Sequence, residues 1–468
     1  AQFIFEQILK ASPEEPGALN GLGVIAFRAD RVDEAEDYYD RAIAEFPGNP
    51  AYLNNLNLVY CRQGRLAEAV ECCRRALALE PRSARLHNNL GIALKLCGQL
   101  EPALESFRRA LALEPDYADA HFNLANALVQ LGMLDEAADA FRRAIELAPG
   151  DADANYNRAL LDLLRGNFQE GWPGLEWRWG LKGFSRPNFD APRWQGQPLE
   201  GRTVLLVGEQ GLGDVIQMIR FANTLKRSAA TVLVECKPTL QALLKTAPGI
   251  DRFVNPGEAQ REAFDFYVPL LSLPGALGTT LETIPAEVPY LFAEPGRIEH
   301  WRRELSGSSE FKVGIAWQGR PTYALDAFRS IPLAEFAPLA ECPRVRLFAL
   351  QKGHGREQLE SLDGKLPIVD LAASLDLGSD AFVDTAAVMM NLDLVITSDT
   401  SMAHLAGALG VDVWVALAQV PDWRWLLDRQ HSPWYPTMRL FRQPRLGDWA
   451  DVFAQMAGPL QLLADGER

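Results

Sequence analysis

Cysteine is scarce and scattered: six residues, at positions 61, 72, 73, 97, 236 and 342, form no CxxC pair, and no His-rich spacing accompanies them. A disulfide framework and a zinc site of ordinary spacing are therefore excluded, and a reducing cytoplasm is the expected compartment. Long apolar runs are missing as well. No stretch reaches the roughly 20 residues that a membrane helix needs, and no signal-peptide pattern is visible. Positive charge is in deficit: 46 Lys and Arg against 61 Asp and Glu leave a net charge of -15. That is a poor footprint for nucleic acid or an anionic membrane, although a local basic pocket for a phosphate stays compatible with it. An initiator Met is also lacking; the sequence opens on Ala1 in mid-pattern. What the chain has in plenty is apolar material, 48% of 468 residues, enough for about three domains by length.

One spacing dominates the first third. Proline falls at 13, 47, 81, 115 and 149, and glycine at 64, 98, 132 and 166, each step being 34, with Asp30 in the slot before Gly64. Alanine recurs at 35, 69, 103 and 137 and again at 42, 76, 110 and 144. In the third unit Leu86 to Cys97 predicts a first helix, Gly98-Gln99-Leu100 a turn, Pro102 to Leu113 a second helix, and Glu114-Pro115 its stop. The small alanines belong where two helices cross closely. The run NNLGIALKLCGQLEPALESFRRALALEP resembles the tetratricopeptide (TPR) repeat, and the likeness covers roughly residues 1–180. Residues 1–13 read as only the second helix of a repeat.

The resemblance implies a superhelix whose first helices line a concave surface. Asn55, Asn89, Asn123 and Asn157 recur at one first-helix position, and asparagine costs roughly half a kcal/mol against alanine in a helix. Two explanations compete. The four form a ladder that clamps the backbone of a bound peptide, which resembles the TPR superhelix of protein O-linked sugar transferases, or they bond between adjacent repeats with no ligand. After Gly166 the pattern degrades into Trp172, Trp177, Trp179 and Trp194, expected to pack as a cap and seam.

After Gly201 the rhythm changes. TVLLV (203–207), TVLVE (231–235), FDFYVPL (264–270), KVGIAW (312–317), RLFAL (346–350), LDLVIT (392–397) and VDVWVAL (411–417) read as strands separated by helical stretches. This predicts parallel sheets covered on both faces, and a Pro/Gly-rich stretch near 274–296 divides them into two Rossmann-like lobes, the GT-B plan. The expected organisation is a TPR array over 1–166, a cap and linker over 167–200, an acceptor-side lobe over 201–296, a nucleotide-sugar lobe over 297–445 and a C-terminal helix over 446–468.

Four segments carry chemistry. Gly208-Glu-Gln-Gly211-Leu-Gly213-Asp214 joins a strand to a helix (VIQMIRFANTL), where glycines admit a ligand and free N–H groups face it. GIAWQGRP (314–321), with Trp317, Gln318 and Gly319, leads to Arg329, Ser330 and Pro332; Pro332 predicts a helix start, which places Arg329 and Ser330 at a helix N-terminus. Arginine suits a diphosphate, the alternative being a surface salt bridge. Gln351 and Lys352 open a glycine-containing loop that is either a ligand site or plain surface. Ser398-Asp399-Thr400-Ser401 caps a helix of small residues, with His404 one turn in, and reads as a phosphate cradle. The aromatic segment 421–436 either covers a nucleotide or packs between lobes.

The first and last of these segments resemble the ADP-heptose:lipopolysaccharide heptosyltransferase family. The resemblance implies that Asp214 is a general base and that 398–404 binds the donor diphosphate; the plain alternative for Asp214 is that it complements the helix dipole. The α/β part has no credible DxD pair. The expectation is thus an inverting, metal-independent glycosyltransferase with no cofactor, using a nucleotide-diphosphate sugar as donor and a protein or peptide acceptor held by the TPR groove. A lipid-linked or polysaccharide acceptor is the variant, and a non-catalytic scaffold or sugar-nucleotide sensor is the rival. A TPR array would also support self-association.

Overall fold

The computed structural model describes the chain except for residues Gln210, Ser308, Ala324, Leu325, Asp363 and Arg468, so Gln210 of the predicted glycine loop lies outside the described residues. The chain divides into two compact units, Ala1–Arg158 and Ala159–Arg468.

The first unit is a TPR helical solenoid. Its helices are α1 (Gln2–Ala11), α2 (Pro16–Arg28), α3 (Val32–Glu45), α4 (Pro50–Gln63), α5 (Leu66–Leu79), α6 (Ala84–Leu96), α7 (Leu100–Leu113), α8 (Ala118–Gln130), α9 (Leu134–Leu147) and the opening of α10 (Ala152–Leu164). The periodic glycines have positive φ, 76° at Gly64 and 75° at Gly98, so they close the turn inside each helix pair where a side chain would be strained. The repeated alanines 35, 69, 103 and 137 are all 0% exposed, which is why nothing larger recurs there. Close packing is also set by paired sizes. A Cβ on Gly91 would lie 2.5 Å from the Phe107 ring, and one on Gly23 would lie 2.5 Å from Tyr39.

The asparagine rows have a specific geometry. The amide nitrogens of Asn55, Asn89 and Asn123 donate to the side-chain oxygens of Asn20, Asn54 and Asn88 in the preceding repeat, at 2.8, 2.5 and 3.1 Å. Phe122 occupies the next slot of the acceptor row, and Asn157 donates instead to Asn126 at 3.0 Å. The bonding between repeats is thus present, and the donating residues are only partly buried.

The second unit holds two wholly parallel sheets. One is built of β1 (Thr203–Val207), β2 (Thr231–Glu235), β3 (Arg252–Val254) and β4 (Phe266–Pro269) in the order β3-β2-β1-β4. The other is built of β5 (Phe311–Ala316), β6 (Val345–Ala349), β7 (Ile368–Asp370), β8 (Leu394–Ser398), β9 (Val413–Leu417) and β10 (Met438–Arg442), ordered β10-β9-β8-β5-β6-β7. Each order reverses beside its first strand, between β1 and β4 and between β5 and β8. In open α/β sheets such a switch point leaves a crevice at the carboxyl ends of the strands, where ligands bind. The two-sheet plan is consistent with GT-B. The helix Trp449–Ala464 covers the second sheet through Val452, Phe453, Met456 and Leu460.

Two local expectations need correction. The run after Asp214 is not one helix; it breaks into Leu212–Met218 and Phe221–Arg227. At the break the Arg220 Nε–H bonds the Gln217 carbonyl at 2.9 Å. Arg329 also ends a short helix, Asp326–Arg329, rather than opening one, while Pro332 caps a 3-10 turn over Leu333–Phe336 that runs on into the helix Ala337–Ala340, close to the predicted start.

The size pairing in the repeats gives a stability prediction. Gly91→Ala should destabilise the chain by about 1–3 kcal/mol through overpacking on Phe107, outweighing the roughly 1 kcal/mol that alanine gains in helix propensity. Urea denaturation would check it; an unchanged or raised midpoint would contradict the pairing.

Candidate functional site

Three loops at strand carboxyl ends converge: 208–214 after β1, 317–330 after β5, and 399–404 after β8. Gly213 lets them meet. A Cβ there would lie 3.0 Å from His404 Cδ2 and 3.2 Å from Ser401 Cα, so any larger residue would push the helix Leu212–Met218 and the helix Ser401–Leu409 or the His404 ring apart by a few tenths of an ångström.

Asp214 sits three residues into the first of these helices. Its Oδ2 accepts the Gly211 N–H at 2.9 Å, half of a capping box, and its Oδ1 accepts from Arg424 Nη2 at 2.5 Å. Arg424 is 8% exposed, and each of its three guanidinium nitrogens makes a side-chain bond. Its Nη1 bonds Asp422 at 2.8 Å and its Nε bonds the Gln217 side-chain oxygen at 2.6 Å, while the guanidinium lies 4.3 Å over the Trp423 ring. Burial works against the charge on Arg424, and Asp422 and Asp214 more than reverse it. Burial likewise raises the Asp214 carboxyl above its ordinary range, with Arg424 opposing and Asp422 adding to the rise.

Asp399 and His404 border the same cluster. Burial, reinforced by Asp422, pushes the Asp399 carboxyl up to about 6, with Arg329 holding it back. His404 is 5% exposed; its Nδ1 is 3.0 Å from the Tyr435 hydroxyl and its ring stacks on Trp425 at 5.4 Å. Burial and the guanidinium groups of Arg424, Arg220 and Arg329 keep the imidazole neutral. Thr400 caps the helix, its hydroxyl accepting the Met402 N–H at 3.4 Å, and Ser401 is its first residue. Among the described residues, Ser398 Oγ and Gln217 Nε2 are buried without a hydrogen-bond partner, whereas buried polar groups are ordinarily paired.

The loop after β5 is braced mostly from within. Trp317 is 0% exposed, its indole N–H bonded to the Gly355 carbonyl at 3.0 Å, so its side chain belongs to the core. Gln351 is a buried clamp: its Oε1 accepts the N–H groups of Trp317 and Gln318, both at 3.0 Å, and its amide nitrogen bonds the Gln318 and His354 carbonyls. Gly319 N–H donates to Ser330 Oγ at 3.1 Å, and Ser330 donates to Asp326 at 2.8 Å. Lys352 turns to the carbonyls of Leu375 and Asp376, and no contact among the described residues joins it to the Arg424 cluster. Arg329 pairs with Asp326 at 3.1 Å and lies 4.5 Å over Tyr323, and it is near enough to act electrostatically on Asp214, Asp399 and His404.

Sequence reasoning passed over Arg424, Asp422, Arg220 and Glu209. The first two lie in the aromatic run 421–436, read there for its rings; a cation and a carboxylate flanking a tryptophan were the available signal. Arg220 is buried, bonding the Trp434 carbonyl at 2.6 Å and the Tyr290 hydroxyl at 2.9 Å. Glu209 accepts two bonds from Arg178 Nη2, at 2.9 and 3.2 Å. Arg178 is 0% exposed and also serves Ser272 and Glu176. Burial drives the Glu209 carboxyl up to about 7 against the pull of Arg178. Burial would raise Glu176 too, but Arg193 and Arg178 bring it down to about 2.

Comparison with known proteins separates the two units. Residues 1–50, 58–96, 93–132 and 118–151 match models of the tetratricopeptide repeat. Residues 334–417 match the glycosyltransferase family 9 (heptosyltransferase) model, a stretch that includes 398–404 but neither Asp214 nor Arg424. Protein FlbA of Caulobacter vibrioides is 28% identical over 339 residues, which are 65% of this chain and 54% of FlbA. The chain therefore spans about half the length of this curated relative. Among solved structures, YrrB, a TPR protein with an unusual peptide-binding site, is 23% identical over 40% of this chain and 95% of its own, with a TM-score of 0.31. TTC0263, a thermophilic TPR protein of Thermus thermophilus, is 30% identical over 35% of this chain and 89% of its own, with a TM-score of 0.32. No helix among the described residues is long and apolar enough to cross a membrane.

The raised carboxyl of Asp399 has a consequence for stability. Between its ordinary value of 3.8 and about 6 the native state holds a proton that the unfolded chain has released. This group therefore favours folding below the lower value, and the advantage drains away as pH rises to the upper one. Asp399→Asn should lose that dependence and become more stable than the parent chain above pH 6, by about 2–3 kcal/mol. Urea titrations at pH 5, 6 and 7 would check it; equal stability at pH 7 would remove the charge argument.

Proposed function

We propose, from the premise of a chain that joins tetratricopeptide repeats to a glycosyltransferase family 9 (heptosyltransferase) segment, that it transfers a sugar from a nucleotide-diphosphate donor to an acceptor hydroxyl on a protein. The observation that carries the proposal is the convergence of Asp214, Arg424 and the 398–404 segment at the two switch points. Asp214 takes the acceptor proton as the acceptor oxygen bonds the anomeric carbon. The bond from that carbon to the diphosphate oxygen breaks, with inversion, and the nucleoside diphosphate leaves with the electron pair. Arg329, Arg424 and the N–H group at Ser401 stabilise the leaving charge in place of a divalent cation. The unpartnered Ser398 Oγ and Gln217 Nε2 suit an oxygen-rich ligand. His404, neutral and held by Tyr435, positions the helix rather than shuttling protons. The donating asparagines Asn55, Asn89, Asn123 and Asn157, only partly buried along the repeats, motivate a protein acceptor recruited there. Cytoplasmic location and self-association belong to the same proposal.

A second reading has its own observation. Both oxygens of Asp214 are already bonded, to Arg424 and to the Gly211 N–H. A residue so engaged suits a scaffold whose α/β unit senses sugar nucleotides without turnover.

The two separate on one variant. Asp214→Asn should keep affinity for nucleoside diphosphate within a few-fold while transfer falls by about 10²–10⁴-fold; a biological role retained in full would select the scaffold. Arg329→Ala should weaken calorimetric binding of UDP, GDP or ADP, whichever binds, by about tenfold, near 1.4 kcal/mol. Transfer abolished by EDTA and restored by Mg²⁺ would overturn the metal-independent mechanism. The double variant Asn89→Ala, Asn123→Ala should raise KM for a protein acceptor and leave nucleotide binding unaltered; no change in KM would favour a lipid or polysaccharide acceptor.

A further inference from the structure

The 3-10 turn Leu175–Gly180 precedes the first sheet in sequence, yet its Arg178 sends a guanidinium to the first glycine loop. Arg178 is 0% exposed. Its Nη2 bonds both oxygens of Glu209, at 2.9 and 3.2 Å, and Ser272 Oγ at 2.7 Å. Its Nη1 bonds the Leu175 carbonyl at 3.0 Å and Glu176 Oε1 at 3.2 Å, and the group lies 4.1 Å from the centre of the Trp179 ring. Ser272 donates in turn to Glu176 Oε1 at 2.8 Å, while Glu176 Oε2 accepts from Trp179 at 2.9 Å and from Arg193. The Leu271 N–H, 3.3 Å from Glu209 Oε1, completes the set. Three segments far apart in sequence, 175–180, 209 and 271–272, therefore meet on one buried cation.

Stability alone does not account for this arrangement. Charges taken out of water cost several kcal/mol each, and apolar residues of similar volume often serve a core as well or better. Arg178 Nε is moreover buried without a partner, which adds to the cost. What the pair supplies is location. Glu209 follows Gly208, whose N–H is bonded to the Glu235 carbonyl at 2.8 Å, and stands two residues before Gly211, whose N–H caps Asp214 at 2.9 Å. We infer that Arg178 and Glu209 are a positioning pair, holding the glycine loop so that Gly211 presents its N–H to Asp214. The inference rests on the transferase reading for what Asp214 does, and it makes the turn before the first sheet a working part of the site instead of a cap. The charged groups that face Glu209 are Arg178 and Glu176, with Arg193 behind Glu176. Burial carries the Glu209 carboxyl up to about 7 against the pull of Arg178. As pH rises through that value the carboxyl loses its proton and its bonds to Arg178 become charge-assisted on both sides, so the hold on the loop tightens.

The test uses the full chain labelled with ¹⁵N-glycine, the Gly211 amide resonance being assigned with Gly211→Ala. Asp214→Ala gives the position of that resonance without the cap. In the parent chain the Gly211 amide should titrate with a midpoint near pH 7, and in Glu209→Gln that midpoint should vanish. Arg178→Ala should carry the resonance at least half-way to its place in Asp214→Ala, and Arg178→Lys, which keeps a cation, should bring it part of the way back. Gly314 and Gly410, in and beside the second sheet, should stay in place throughout. Glu209→Gln preserves side-chain volume, so it decides the matter even if Arg178→Ala fails to fold. A Gly211 amide indifferent to pH and to Glu209→Gln would reduce the pair to a structural contact, and a midpoint surviving Glu209→Gln would assign the proton elsewhere; either result overturns the inference. Binding of UDP, GDP and ADP to the parent chain is measured in parallel by calorimetry. Nucleotide binding with an indifferent Gly211 would sink the pair and leave the transferase reading standing. A responsive Gly211 with no nucleotide bound would keep the pair's hold on the loop and sink the transferase reading instead.

Discussion

Arg424 is a buried cation that needs its anions, and the candidate site is arranged around that need. An isolated guanidinium removed from water costs several kcal/mol, so the group persists there only with carboxylates at contact distance. Asp422 is two residues away in the chain, but Asp214 is supplied from the other lobe, 210 residues earlier. The pair, with Gln217 as a third ligand, ties the helix after β1 to the segment after β9. Arg220 repeats the device with aromatic rings, lying 4.6 Å from Tyr290 and 4.4 Å from Tyr435. Breaking either pair from one side would leave a buried charge unpaired, so these contacts fix the lobes' relation more sharply than apolar contacts of equal area would. The same pairing opposes the burial that raises the Asp214 carboxyl.

Burial sets the titration pattern here. It raises the Asp214 and Asp399 carboxyls, Asp399 to about 6, with Arg424 and Arg329 opposing. At Arg178 two acids diverge: burial lifts Glu209 to about 7, while Arg193 and Arg178 bring Glu176 down to about 2. Burial against incomplete compensation by a shared cation is a way to place a protonatable group near neutral pH without a histidine.

Legibility in the sequence followed the range of the interactions. TVLLV and TVLVE coincide with β1 and β2 because five consecutive residues, most of them buried, leave a local mark. β3, β7 and β10 escaped notice: Arg252–Val254 and Ile368–Asp370 are only three residues long, Met438–Arg442 mixes arginines with its apolar residues, and all three lie at a sheet edge where a neighbouring strand pairs them. The repeat was fully legible, since its glycines and alanines answer steric demands inside one helix pair. The 398–404 segment was legible for a similar reason, cap and helix being contiguous. Arg424 was not, because its meaning depends on Asp214, and no local spacing relates the two. Arg329 was only half legible: Pro332 marks the helical segment that follows it, while the short helix Asp326–Arg329 that Arg329 closes leaves no such mark.

The glycines of the second unit show how local chemistry and distant partners combine. Gly208 and Gly211 fit a loop that any ligand could approach, and a sequence reading stops there. Gly213 is different, because its missing Cβ is where His404 and Ser401 of the second lobe come to rest. The contact brings the helix that carries Asp214 against the helix that begins at Ser401. A Cβ at Gly213 would sit a few tenths of an ångström too close to His404 and Ser401, so a substitution needs one of them to give. The position of Asp214 relative to the 398–404 segment is thereby set by van der Waals contact, while burial and Arg424 act in opposite directions on its charge. Separating the two controls lets the site hold its geometry while Arg424 exchanges one anion for another, Asp214 for a diphosphate oxygen, and under the proposed function that exchange would free Asp214 as a base only once the donor has arrived.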